Sequence, residues 1–238
     1  MSRNPKQDAD DEKREAMKRR AAESAVSVVE DGDVVGLGTG STAAYAIREL
    51  GRRVDEGLDV RGVPTSHGAR ALAVEEGVPL TSLDVETPDV AIDGADAFDA
   101  SLNLVKGGGA AHAREKVVAK SADRVVIVAD ETKEREELDV PVPLEVLEFA
   151  VPHVRERIEE TGGEFALRES GGKDGPVVTD NGNVVADAEF SEDGADGYDA
   201  PELAETLDGM TGIVEHGLFV DVADEVRVGR EDGVEIKK

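Results

Sequence analysis

Short apolar runs alternate with stretches of helical periodicity along the first part of this 238-residue chain. Asp33–Leu37, Leu58–Val63, Val90–Ile92 and Arg124–Ala129 read as strands, with a shorter one at Val78–Leu80. Asp11–Glu30, Ala43–Arg53 and Ser66–Glu76 read as helices. A further helix is expected from the glycine turn Lys106–Gly109 to about Ser121. Strands that alternate with helices imply a parallel sheet covered on both faces. Such a sheet receives ligands at the carboxyl ends of its strands. The pattern changes near residue 139. Leu144–Ala150 (strand), Pro152 to about Thr161 (helix), Glu164–Arg168, Val177–Thr179 and Val184–Phe190 (strands), Pro201–Leu207 (helix) and Gly212–Val220 (strand) give a split βαβ order. Asp180-Asn-Gly-Asn183 is a tight-hairpin signal. Glu225–Val228 and Val234–Ile236 have no helix between them and are expected to return to the first sheet. The expected domains are 1–138, completed by about 218–238, and 139–217. Residues 1–10 read as a polar, disordered extension, and 191–200 as a surface insertion.

Charge narrows the partners. Asp and Glu number 54 against 27 Lys and Arg, a formal net charge of -27. Such a surface repels phosphate backbones and anionic lipid, so neither nucleic acid nor membrane is an expected partner. The excess is distributed, as in proteins adapted to high salt, where a Debye length of about 3 Å screens self-repulsion. The absence of cysteine excludes disulfides, thiolate catalysis and Cys-ligated metals. The polar first residues are no signal peptide, and no run approaches the roughly 18 apolar residues of a membrane helix. A soluble, cytoplasmic protein is expected. The scattered histidines build no metal site, and no metal is expected.

Four stretches carry candidate chemistry. Gly36-Leu-Gly-Thr-Gly-Ser-Thr42 joins a strand to a helix. Glycines admit close approach of a ligand, and a helix N-terminus suits a phosphate. The stretch lacks the lysine of a P-loop and the third glycine of a dinucleotide fingerprint. Taken alone it is equally a turn capped by Ser or Thr. Asp93-Gly-Ala-Asp96 ends a strand. Its two carboxylates suit one small polar substrate, one accepting a proton and the other aligning a hydroxyl; alone they are also an Asx turn. Lys106-Gly-Gly-Gly-Ala-Ala-His-Ala-Arg-Glu115 is the most specific, because lysine is scarce here. Glu115, roughly two turns into the following helix, has the chemistry of a general base if it points into a pocket, and is a solvated surface acid if it does not. Lys133, in Ala129-Asp-Glu-Thr-Lys133, also follows a strand and suits a phosphate as a point charge.

Together these stretches resemble the ribose-5-phosphate isomerase A family: GLGTGSTAAYAIREL (36–50), VAIDGADAFDASLNLVKGGGAAHAREKVVAKSADRVVIVADETK (90–133), VPVPLEVLEFA (140–150), VVTDNGNVVAD (177–187) and GLFV (217–220). The resemblance implies a Rossmann-like α/β domain with a smaller ferredoxin-like α+β domain. It implies the aldose–ketose isomerisation of D-ribose 5-phosphate and D-ribulose 5-phosphate, in the non-oxidative pentose phosphate pathway. No cofactor is implied, and the assembly is a homodimer or homotetramer. Glu115 falls on the catalytic base, shuttling a proton between C1 and C2 through an enediolate. Asp93 falls on the residue assisting ring opening, Asp96 on one aligning hydroxyls, and Lys106 on one stabilising the oxyanion. Thr39, Gly40, Ser41, Thr42, Asp93, Gly94, Ala95, Asp96, Lys106, Gly107, Gly108, Gly109 and Lys133 fall on substrate-binding positions. Lys18 is a further phosphate candidate. Related folds also serve as sugar-phosphate sensors in transcription regulators. The acidic N-terminus offers no basic recognition helix for that role, and the full motif set argues against an amino-sugar-phosphate deaminase.

Overall fold

The computed structural model describes residues 5–172, 174–190 and 197–238, with side chains described from residue 9 onward in the first helix. In chain order it begins with α1 (Pro5–Val26), β1 (Val34–Leu37), α2 (Ser41–Asp55), β2 (Arg61–Pro64), α3 (His67–Glu75) and β3 (Val90–Gly94). A hairpin of β4 (Ala97–Phe98) and β5 (Leu104–Val105) precedes α4 (His112–Ser121) and β6 (Arg124–Asp130). Then come β7 (Val142–Val146), α5 (Val151–Glu160), β8 (Glu164–Leu167), β9 (Val184–Glu189) and α6 (Ala200–Asp208). The order closes with β10 (Ile213–His216), β11 (Leu218–Phe219), β12 (Glu225–Gly229) and β13 (Val234–Lys237).

The chain divides into two compact units. The first holds residues up to Gly94, Val118–Lys133 and Ala223–Lys238; the second holds Ala95–Val117 and Glu134–Val222. In the first unit the sheet order is β13-β12-β6-β3-β1-β2. All its pairings are parallel except β12 with β13. Val35, Leu37, Ile92, Val126 and Val128 of the strands are buried with Ala21 and Ala25 of α1 and Ile47 and Leu50 of α2. The last two strands return to this sheet, as expected. In the second unit β10-β7-β9-β8 form an antiparallel sheet. With α5 after β7 and α6 after β9, this is the ferredoxin-like βαββαβ order. Leu144, Val146, Val154, Ile158, Ala186 and Leu207 make its core. A second small sheet, β11-β5-β4, belongs to the same unit.

Several elements differ from expectation for local physical reasons. The first helix begins at Pro5, inside the stretch expected to be disordered; residues 1–4 and 191–196 of the two expected surface segments lie outside the described residues. Helix α1 ends at Val26, not Glu30, because Ser27, Val28 and Val29 turn into i→i−3 bonds. Leu80 and Val178 each join a neighbour through one isolated bridge, where short strands were expected. The strand from Leu144 stops at Val146, and Glu148–Ala150 is a 3₁₀ turn feeding α5. The expected strand Gly212–Val220 breaks at Gly217. A Cβ there would lie 2.2 Å from the Lys106 carbonyl oxygen, whose own residue donates its N–H to the Gly217 carbonyl at 2.8 Å.

Candidate active site

In the first unit, three of the predicted stretches follow β1, β3 and β6. The turn after β1 is latched to the end of β3. Gly38 donates its N–H to the Ile92 carbonyl at 3.0 Å, and Thr39 donates its N–H to Asp93 Oδ1 at 3.1 Å. The same oxygen accepts the Gly94 N–H at 2.7 Å. Only glycine fits at position 38, since a Cβ would lie 2.2 Å from Asp93 Oδ1. The Thr39 hydroxyl meets Thr65 Oγ1 at 2.8 Å and donates to Ser66 Oγ at 2.7 Å, two partners that no motif had marked. Gly40, at φ 119°, is the N-cap of α2 and provides no side-chain cap. The capped-turn reading therefore fails: the N-cap residue offers no side chain to the first-turn donors of α2. Lys18 of α1 donates to Ser41 Oγ at 3.2 Å and to Glu15 at 2.7 Å. The Lys18 bond, helped by the Tyr45 hydroxyl, holds the Glu15 carboxyl below its ordinary value. Lys133, half-buried, ends the 3₁₀ turn Glu131–Lys133 after β6.

In the second unit the β4–β5 hairpin carries Asp96 at one end and Lys106 at the other. Asp99 ties its turn by accepting the N–H groups of Ser101 and Asn103 and the Asn103 side-chain amide. Lys106 leaves β5 into a glycine turn, with Gly107 at φ 111°, and α4 starts at His112. Glu115 thus lies in the first turn of the helix, not two turns in. There the peptide dipoles favour negative charge. The Lys106 ammonium stands 3.3 Å from Glu115 Oε2, and both residues are only 3% exposed. The solvated-helix reading of Glu115 is thereby overturned. Phe219 of β11 lies under both Lys106 (5.4 Å from the ring centre) and Lys116 (5.0 Å), a cation–π contact for each. Asp96 Oδ2 accepts the Gly108 N–H at 2.7 Å.

The hairpin Thr179–Asn183 does more than turn the chain. The buried Glu145 carboxylate of β7 accepts from the Thr179 hydroxyl (2.9 Å), the Asn181 amide (3.0 Å) and the Asn183 amide (2.7 Å). Asn181 Oδ1 in turn accepts from Arg114 of α4 at 2.7 Å, next to Glu115. On another face of α4, fully buried His112 shares a 3.2 Å hydrogen bond between Nε2 and the Glu215 carbonyl, which makes Nε2 the donor. Its Nδ1 has no partner among the described residues. Burial drives the His112 pKa down to about 4, Lys116 adds to this, and Glu145 and Glu215 oppose it. Among the described residues Asp208, Glu215 and His216 bring together donors that suit a metal ion. They are already engaged. Lys116 is 2.6 Å from Glu215 Oε1, His216 Nδ1 accepts the Leu218 N–H, and His216 Nε2 faces Asp208 at 3.0 Å. Burial lowers the His216 pKa as well. This group is a hydrogen-bonded network in which Lys116 pairs with Glu215 and His216 bridges to Asp208.

The predicted residues thus fall into two sets. Thr39, Gly40, Ser41, Thr42, Asp93, Gly94 and Lys133 belong to the first unit, and Ala95, Asp96, Lys106, Gly107, Gly108, Gly109 and Glu115 to the second. Within the sets, Thr39 meets Asp93, Asp96 meets Gly108, and Lys106 meets Glu115. Thr65, Ser66, Glu145, Lys116 and Phe219 support them; Thr65 and Ser66 lie outside every motif, Glu145 and Phe219 lie in family-like stretches that assign them no role, and Lys116, expected to be solvated, is buried.

The chain matches the family described as ribose 5-phosphate isomerase A (phosphoriboisomerase A) over residues 61–233. It is 58% identical over 223 residues to ribose-5-phosphate isomerase A of Natronomonas pharaonis, covering 94% of this chain and 97% of that protein. The Haloarcula marismortui protein of the same name is 56% identical, with 94% and 96% covered. Among solved structures, ribose 5-phosphate isomerase A of Methanocaldococcus jannaschii is 43% identical at a TM-score of 0.88, covering 94% of this chain and 99% of that one. A D-ribose-5-phosphate isomerase in complex with phospho-erythronic acid is 42% identical, also at a TM-score of 0.88, with 93% and 97% covered. With its family profile matched over most of its length and whole-length relatives above half identity, the chain belongs to the ribose 5-phosphate isomerase A family.

Proposed function

We propose that the residues singled out above serve a sugar phosphate substrate. As a member of this family the chain is an isomerase that interconverts D-ribose 5-phosphate and D-ribulose 5-phosphate. In our reading the phosphate is taken by the uncapped α2 N-terminus with Thr39, Gly40, Ser41 and Thr42, and by Lys133. Asp93 assists ring opening, and Asp96 aligns hydroxyls. Glu115 removes the proton from C2 of the open aldose, the electron pair forms the C1–C2 double bond, and the carbonyl oxygen becomes an enediolate oxyanion. Lys106 stabilises that charge, a preorganised cation in a dry setting. Glu115 returns the proton to C1 while the O2 proton passes to O1, giving the ketose. Substrate and product have the same overall oxidation level, so the isomerisation calls for no redox cofactor.

The observation that carries this reading is the buried Lys106–Glu115 pair, a base and an electrophile 3.3 Å apart. The phospho-erythronic acid held by a relative has a phosphate and a carboxylate, the two charges this reading distributes. We place the reaction in the cytoplasm and the non-oxidative pentose phosphate pathway, in a homodimer or homotetramer without nucleic-acid or membrane partners. Among the described residues no helix is long and apolar enough to cross a membrane. A coupled ribulose 5-phosphate assay, run in low and molar salt, tests the reading with ribose 5-phosphate as substrate and arabinose 5-phosphate as the discriminating control. Glu115→Gln is expected to lower turnover by about 10³-fold while substrate still binds. Near-normal turnover in that variant removes Glu115 as the base.

A further inference from the structure

Arg168, immediately after β8, grips the glycine turn that leads into α4. Its Nη1 donates to the Gly107 carbonyl at 2.7 Å and to the Gly108 carbonyl at 3.2 Å. The rest of the guanidinium is engaged by Asp187 of β9, Nε to Oδ2 at 2.9 Å and Nη2 to Oδ1. A bidentate carboxylate fixes the plane of a guanidinium, and with it the direction of the remaining nitrogen. The peptide between Gly107 and Gly108 is therefore held at both ends, its C=O by Arg168 and its N–H by Asp96 Oδ2 at 2.7 Å. In a trans peptide these two groups point to opposite sides. Asp187, Arg168, one peptide plane and Asp96 form a continuous hydrogen-bonded series that ends on a proposed substrate ligand. By the same rule, the Gly108 carbonyl drawn toward Arg168 turns the Gly109 N–H away from it. A run of three glycines has many other conformations open to it. Nothing in the turn's own covalent structure selects this one.

We propose that Arg168 is a positioning residue for the isomerisation. It holds Lys106–Gly109 in the conformation that presents Asp96 and the Gly109 N–H to substrate, without touching substrate itself. This rests on the isomerase reading above. The hold requires a planar, forked donor. A lysine ammonium is a point charge and cannot reproduce the bidentate pair with Asp187 while reaching the carbonyls. The phosphate ligands of the first unit do not depend on Arg168, so its loss falls on turnover more than on KM.

The test is steady-state kinetics of Arg168→Ala and Arg168→Lys with ribose 5-phosphate, with and without added methylguanidinium. Misplacement of this kind is expected to cost about 10²-fold in kcat with KM within about threefold in the alanine variant. The lysine variant recovers part of that loss. Methylguanidinium at millimolar concentration raises kcat of the alanine variant and leaves the parent unchanged, an effect that a merely structural arginine does not give. Where the alanine variant does not fold, the lysine variant carries the test through the same split of kcat from KM. A kcat near that of the parent, or a loss that neither lysine nor methylguanidinium relieves, overturns the proposal. Absence of isomerisation in the unsubstituted protein overturns the isomerase reading instead.

Discussion

Glu115 and Lys106 each remove the other's isolation. A lone charge so buried is costly, and pairing at 3.3 Å offsets the lost water. Placement in the first helical turn adds the peptide dipoles to the same side of the balance. His112, one turn earlier, shows the opposite solution: it stays neutral. Protonation would add a donor at Nδ1, where no acceptor lies among the described residues, beside Lys116 but within reach of the Glu145 and Glu215 charges. The unfolded imidazole takes its proton near 6.5 and the folded one only near 4. Between those values the unfolded state binds more protons, so this contribution is complete above 6.5 and is lost as pH falls toward 4. His112→Gln is expected to have a shallower fall in denaturation midpoint over that interval. An imidazole ¹⁵N signal already protonated at a pH well above 4 would exclude this account. At this scale the sequence was informative where a residue type was scarce: a lysine before three glycines stands out in an acidic chain. Glu145 and Arg168 were illegible for the opposite reason. Acids and arginines are common here, and their partners lie tens of residues away.

Long periodic elements were readable and two-residue ones were not. The strands β1, β3 and β6, rich in Val and Ile, sit close to where the pattern put them, because burial on both faces leaves little choice of residue. β4, β5 and β11 have two residues each, too few for any periodicity to mark them; β4 and β5 pair as a hairpin, and β11 joins β5 from a distant segment. The Thr179–Asn183 hairpin was legible as a turn, yet the purpose of its side chains was not, since they converge on Glu145 in another strand. All three bring donors to one carboxylate. Glu145→Gln sets an amide donor against them, and should destabilise by about 1–3 kcal/mol, the cost of a buried polar group left without a partner. Chemical denaturation measures it. A glutamine variant as stable as the parent would mean that charge at 145 is not what the hairpin is built on. Because Asn181 also holds Arg114, the same variant should lose some turnover even where it is fully folded.

For the whole molecule the dominant fact is a net charge of -27. Several arginines answer it locally, as Arg52 does with Glu49 and Glu56 and Arg230 with Glu131 and Glu235. Exposed pairs of this kind contribute little each. The remainder needs mobile ions, in keeping with relatives from halophilic organisms. Denaturation midpoint and activity should both rise from dilute buffer to molar salt; equal values at both would refute the salt reading and leave the isomerase assignment standing. In an aromatic-poor chain, Phe149 is 99% exposed beside Leu147 at 49%, an apolar spot that the proposed homo-oligomer is expected to cover. Sedimentation in molar salt should find an oligomer, and Phe149→Asp should lower its mass; a monomeric parent would end that reading. The return of β12 and β13 to the first sheet has a consequence in time. During synthesis β6 emerges and then waits, one edge unpaired, while residues 134–222 are added over several seconds. Until β12 arrives, that edge is a template for any passing strand. A unit inserted in the chain between two strands of one sheet therefore makes the nascent chain, not the finished enzyme, the form in greatest need of protection.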